Sequence, residues 1–175
     1  MAEGSRWHVG DHDGFLACYD ATRLEVFRYA SRLTGDRQLA EDLVHDIYVD
    51  TLRRARSGEL EPIGVGWLCR AVRHRHLDRL RGAERERHRL RLVGAGTGTT
   101  PDDGDGDETD VGTCGLLDGL SVRERVAVVL RHIDGLSVRE VADQLGTTVR
   151  ATESLLARAR SKARRQHEER EVRDA

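Results

Sequence analysis

The segment LSVREVADQLGTTVRATESLLARAR, Leu136 to Arg160, decides the reading of the C-terminal half of the chain. Ser137 precedes an apolar-periodic run and Glu140 follows three residues later. In such a capping box the serine oxygen and the glutamate carboxylate each satisfy one orphan N–H of a helix start. Val141, Ala142 and Leu145 then share one face, Gly146 ends the short helix Ser137–Leu145, and a longer helix begins at Thr147 or Thr148. Two helices joined by a tight glycine turn, the second of them basic, are the layout of a DNA-reading helix-turn-helix. The same outline also describes an ordinary αα-hairpin in a bundle.

Charge separates the two readings. From Thr147 to Gln166 the basic residues are Arg150, Arg158, Arg160, Lys162, Arg164 and Arg165, opposed only by Glu153. Val149, Leu156, Ala159 and Ala163 fall at helical spacing and are expected to pack on Val141, Ala142 and Leu145. Thr148, Arg150, Ala151, Glu153, Ser154, Ala157 and Arg158 then face outward. Arginine clamps phosphate or reads guanine bidentately, and serine and glutamate exchange hydrogen bonds with base edges. For any one arginine, a solvated surface charge is the plain alternative.

The six residues GLSVRE occur twice, at Gly119–Glu124 and Gly135–Glu140, so Ser121 and Glu124 mark a further helix start upstream. Before it lies LVGAGTGTTPDDGDGDETDVGTCG, which has no hydrophobic period and carries Asp102, Asp103, Asp105, Asp107, Glu108 and Asp110 with no compensating base. That composition makes a flexible, self-repelling linker. It is not a calcium loop. Counted from Asp103, Glu108 stands at the sixth position where glycine is required, and Cys114 at the twelfth where glutamate is required.

The N-terminal half is also helical by periodicity. Phe15–Leu33 presents Phe15, Leu16, Tyr19, Leu24, Phe27, Ala30 and Leu33 as one drifting stripe, Gly35 ends the helix, and Asp36 caps the next. That second helix, 38–56, is expected to bury Leu39, Leu43, Val44, Ile47, Tyr48, Thr51 and Leu52. Its outer face, Glu41, Asp42, His45, Asp46 and Asp50, is acidic, either a solvated face or a docking edge for a basic partner. After a glycine- and proline-marked loop, Trp67–Arg91 carries nine arginines against Asp78, Glu84 and Glu86, with Leu68, Ala71, Val72, Leu77 and Leu80 on its apolar side. A basic helix opened by tryptophan, beside a loop that can accept unstacked bases, is a second nucleic-acid candidate.

Composition bounds the rest. The net charge of −2 argues against a protein that coats DNA by bulk electrostatics, and aromatics at 4% imply small aliphatic helical cores. Cys18, Cys69 and Cys114 are widely spaced and form no CxxC, which disfavours disulfides and thiolate zinc; His74 and His76 point to different helix faces, so no metal or cofactor is expected. No apolar run reaches membrane-spanning length, and MAEGSRWHVG lacks a signal segment, so a soluble, cytoplasmic chain is expected. The expected fold is all-α. Two small helical domains, 15–91 and 116–168, are joined by the acidic linker 92–115, with tails at 1–14 and 169–175.

Taken in order, AEDLVHDIYVDTL, WLCRAVRHRHLDRLR, the linker and LSVREVADQLGTTVRATESLLARAR resemble the extracytoplasmic-function class of bacterial sigma-70 factors. The resemblance implies a sigma factor that binds core RNA polymerase and directs promoter recognition, DNA melting and initiation. It implies docking of polymerase by Glu41, Asp42, His45 and Asp46, where His45 replaces the usual glutamine and Asp46 the usual glutamate. It implies melting and reading of the −10 element by Trp67, Arg70, Arg73 and His74, the last standing where asparagine is common, with Asp78 and Arg81 also matching. For the −35 element it implies Thr148, Arg150, Glu153, Ser154 and Arg158, with Glu153 where lysine is frequent. A further implied partner is an anti-sigma factor, often membrane-bound in this family, although the chain itself is not expected to insert in a membrane. The main alternative is a helix-turn-helix regulator that binds DNA without polymerase, but its ligand pocket would need an apolar lining that the arginine-dense segment does not supply. An enzyme is not expected, since no nucleophile–base or ligand constellation appears at recognisable spacing.

Overall fold

The computed structural model of the chain describes residues 6–9, 12–58, 62–92 and 117–173. Among them are six α-helices: α1 His12–Thr34, α2 Arg37–Arg56, α3 Val65–Leu92, α4 Val122–Val128, α5 Val138–Leu145 and α6 Val149–Arg173. A π-helical turn, Val129–Ile133, continues α4. The fold is all-α, as the periodicity implies. The only extended pairing among the described residues is an isolated antiparallel bridge between Trp7 and Ile63. The linker 92–115 lies outside the described residues except for Leu92, and Cys114 lies outside them altogether.

The chain divides into two compact units, Met1–Ser31 with Asp36–Gly82, and Arg32–Gly35 with Ala83–Ala175. In the first, α2 starts where Asp36, in extended conformation, accepts a hydrogen bond from Leu39 N at 3.0 Å. Its buried face is Ala40, Leu43, Ile47, Tyr48, Thr51 and Ala55, while Leu39, Val44 and Leu52 are only half-buried. On α3 the buried face is Leu68, Val72, Arg73, His76 and Leu77.

The inner face of α1 differs from the expected stripe. Leu16 and Leu24 are exposed and Tyr19 lies at the surface, whereas Cys18, Thr22, Val26, Tyr29 and Ala30 are buried. The reason is a polar contact that hydrophobicity does not register. Thr22 donates to the Cys18 carbonyl at 2.6 Å, so its oxygen is left to accept from the Tyr48 hydroxyl, also at 2.6 Å. Tyr48 is further enclosed by Tyr19 and Phe15, whose rings meet it edge-on at 4.9 and 6.4 Å. Burial pushes the Tyr48 hydroxyl up to about 12, against the opposing effect of its bond to Thr22. α1 also begins three residues before Phe15, and Trp7 exchanges backbone hydrogen bonds with Ile63 at 2.8 and 3.0 Å, so part of the expected N-terminal tail is built into this unit.

In the second unit both copies of GLSVRE form complete capping boxes. Ser121 and Ser137 accept from the backbone N–H of Glu124 and Glu140, whose carboxylates accept from the serine N–H in return. Each copy opens on a left-handed glycine, Gly119 at φ +67° and Gly135 at +72°. At Gly119 a side chain would also strike the amide of Gln166, which bonds to the Asp118 carbonyl. α4 packs on α6, as does α5. α6 continues through Arg173, with His167 and Glu171 paired one turn apart at 3.5 Å.

Candidate polymerase and nucleic-acid interfaces

The turn between α5 and α6 is the one the sequence predicts. α5 ends on Gly146 in the left-handed conformation, and Gly146 and Thr147 return their N–H groups to Asp143 and Ala142 carbonyls. Thr148 then caps α6, its hydroxyl oxygen accepting from Ala151 N at 3.2 Å.

α6 is rotated by a fraction of a turn from the expected packing. Val149 is exposed, and the buried residues are Thr152, Leu155 and Ala159. The polar Thr152, not the apolar Val149, faces Val141, Ala142 and Leu145, all buried. The Thr152 hydroxyl is enclosed without a hydrogen-bond partner. Thr148, Arg150, Glu153, Ser154, Ala157 and Arg158 are all exposed, and Ala151 is half-buried. Arg150, Glu153, Ser154, Ala157 and Arg158 follow the helical spacing of a single face. Ser154 donates to the Arg150 carbonyl at 3.0 Å, so what its oxygen offers outward is acceptor capacity, suited to an adenine or cytosine amine.

The surroundings of Glu124 escape sequence reading. Its carboxylate, already part of the first capping box, receives Lys162 Nζ at 2.8 Å and lies 3.6 Å from Arg158 Nε. Its side chain is only 4% exposed, against 31% for Lys162 and 63% for Arg158. Burial alone would raise its pKa, but the bonds from Lys162 and from Ser121 outweigh this and hold it below the usual carboxylate range. The capping motif marks Glu124 as a helix-start residue; no local pattern reveals partners on α6.

On α3, Trp67, Arg70 and His74 share a face, with Arg70 and His74 exposed and Trp67 half-buried beneath the Arg54 guanidinium at 5.8 Å from the ring centroid. Arg73 is not on that face. It is 9% exposed and belongs, with Leu68, Val72, His76 and Leu77, to the buried side of α3. Asp78 pairs with Arg81 at 2.9 Å, one turn along the same helix. His74 is exposed and His76 buried, so the two histidines do diverge. Among the described residues no group of three or more His, Cys, Asp or Glu is placed to hold a metal ion, and no helix is long and apolar enough to cross a membrane.

Glu41, Asp42 and His45 are exposed on α2, and Asp46 is half-buried. Glu41 pairs with Arg37 at 2.9 Å, Asp42 accepts weakly from Gln38 at 3.4 Å, and Asp46 pairs with Arg79 of α3 at 2.8 Å. Exposed pairs of this kind contribute between nothing and about 1 kcal/mol, so an incoming basic surface can displace them.

Comparison with known families agrees with this layout. The Sigma-70 region 2 profile matches residues 18–86, and the Sigma-70, region 4 profile matches residues 115–162. The ECF RNA polymerase sigma factor SigK of Mycolicibacterium vanbaalenii is 28% identical over 151 residues, covering 82% of this chain and 76% of its own length. The ECF RNA polymerase sigma factor BldN of Streptomyces coelicolor is 29% identical over 159 residues, covering 88% of this chain and 60% of its own length. The solved sigma factor RpoE of Bartonella quintana, in complex with the anti-sigma factor NepR, is 20% identical with a TM-score of 0.47, over 88% of this chain and 96% of that one. With both family regions present in order, and ECF relatives matching along most of its length, the chain belongs to the extracytoplasmic-function class of the sigma-70 family of RNA polymerase sigma factors.

Proposed function

We propose that this sigma factor divides its work among three helix faces. Glu41, Asp42, His45 and Asp46 of α2 dock core polymerase. Trp67, Arg70 and His74 open α3 toward the −10 element, and Arg73 supports that helix from within. Arg150, Glu153, Ser154 and Arg158 of α6 read the −35 element, with Thr148 fixing the helix start. The observation that carries the reading is the α5–Gly146–α6 turn, whose second helix presents Arg150, Glu153, Ser154 and Arg158 on one exposed face. A polymerase-independent regulator is disfavoured, because the N-terminal unit matches a sigma region in place of a ligand-sensing fold.

The protein acts without catalytic chemistry of its own, in the cytoplasm where polymerase and promoter DNA are found. An anti-sigma factor holds it off polymerase by covering the Glu41–Asp46 edge. The physical support is the chemistry of that edge, an acidic surface whose weak internal pairs a basic partner segment displaces. Run-off transcription with purified core polymerase tests the central reading. The chain plus core initiates at discrete starts on DNA from its native genome, and absence of any start above the core-alone background overturns it. For the partner, pull-down from the native cell recovers a protein that competes with core. A partner that binds together with core and leaves transcription unchanged removes the inhibitory role.

A further inference from the structure

The duplicated GLSVRE segment builds the same capping box twice, yet the two glutamates have different surroundings. Glu140 is exposed and bonds to Ser137 of its own box, the carboxylate accepting from the serine N–H at 2.7 Å and the hydroxyl at 2.6 Å. Glu124 is enclosed, and beyond Ser121 its two oxygens meet two cations of α6, Lys162 at 2.8 Å and Arg158 at 3.6 Å. A carboxylate this deeply placed between a cap and two cations is a fixed negative point against the α6 face that carries Arg158.

We propose that Glu124 is a specificity-determining positioning residue. It ties down Lys162 so that this lysine makes no phosphate contact, and its charge, 3.6 Å from Arg158 Nε, biases the direction in which that guanidinium approaches DNA. The inference rests on the reading of α6 as a DNA-binding helix. A lysine neutralised by a buried carboxylate releases no counterion from DNA, so it adds nothing to sequence-independent affinity. An arginine steered from behind loses alternative rotamers, and bidentate recognition of a base depends on that direction.

The test compares Glu124→Gln with Glu140→Gln in the full-length chain. Glutamine keeps a carbonyl oxygen for the serine N–H, so each variant alters net charge equally while preserving a cap acceptor. Affinity for a random-sequence duplex is measured across a salt series, and reconstituted holoenzyme selects upstream sequences from a randomised duplex pool. Glu124→Gln makes the salt dependence steeper by about 0.9 in log–log slope, the increment expected when Lys162 neutralises one more phosphate. It also lowers discrimination among upstream sequences several-fold, and Glu140→Gln does neither. In a Lys162→Gln background the slope increment disappears, a cycle that isolates the lysine from any general loosening of the fold.

A lower thermal midpoint for Glu124→Gln with unchanged slope and unchanged selection overturns the proposal, leaving a capping role only. Equal slope changes in the two glutamine variants also overturn it, since net charge then suffices. Arg150→Ala separates these failures from failure of the underlying reading. If Arg150→Ala alters neither slope nor selection, α6 is not the DNA surface, whereas a loss there with no Glu124→Gln effect rejects the clamp alone.

Discussion

His76 is 2% exposed on α3, and neither of its ring nitrogens has a hydrogen-bond partner. Loss of solvation, followed by the charge of Arg79, lowers its pKa from 6.5 to about 4. The folded state therefore keeps His76 neutral, while the unfolded chain takes up a proton below about 6.5. The stabilisation is whole above that value and drains away as pH falls toward about 4. Within this window the slope approaches roughly 1.4 kcal/mol per pH unit, the equivalent of one proton. Urea unfolding at pH 7 and pH 5 measures it, and His76→Leu flattens the difference between the two. An unchanged pH dependence in that variant shows that another group carries it. Burial also decides the role of Arg73. Its position in the motif suggests a DNA contact, but with the side chain buried, Arg73→Ala lowers the thermal midpoint, and a pre-melted template does not restore its activity. A normal midpoint with rescue by the pre-melted template returns Arg73 to the −10 surface.

For helices, what the sequence disclosed well is what is local. Both capping boxes, the Asp36 cap and the Gly146 turn lie within a few residues of chain, and all four form as read. The faces of α1 and α6 were less legible, because burial there follows Thr22 and Thr152, polar residues that a hydrophobic pattern skips. The two threonines also differ in energy. Thr22 is satisfied by Cys18 and Tyr48, whereas the Thr152 hydroxyl is enclosed without a partner. Thr152→Val keeps the β-branched shape and removes an unmatched polar group, which raises stability by about 1 kcal/mol. Thr22→Val, which strands the Tyr48 hydroxyl, lowers it by a similar or larger amount. Paired denaturant melts read both, and a destabilised Thr152→Val points to a partner for that hydroxyl. On α2 the element-scale prediction is charge reversal. Asp42→Lys with Asp46→Lys leaves helicity and melting near wild type, since the pair to Arg79 is exposed and weak, but reduces affinity for core. Core affinity equal to wild type makes the acidic face a solvated one.

For the molecule as a whole, the net charge of −2 hides a segregation: an acidic face on α2 and the runs of arginine on α3 and α6. On α6 the partial neutralisation of Lys162 and Arg158 by Glu124 lowers the effective positive charge further. Each cation that Glu124 withholds from phosphate removes about 0.9 from the salt slope. The free chain accordingly binds duplex DNA weakly, in the range of non-specific association, roughly 10⁻⁴–10⁻⁶ M at physiological salt. Sequence preference emerges when core polymerase holds both units on one promoter, because the second binding event then becomes intramolecular and its effective concentration replaces intrinsic affinity. Titration of labelled promoter and random duplexes with the chain, with and without core, measures this. The ratio of promoter to random affinity is near one for the chain alone and rises by orders of magnitude with core. Tight, selective duplex binding by the free chain, unchanged when core is added, contradicts the division of labour among the three helices.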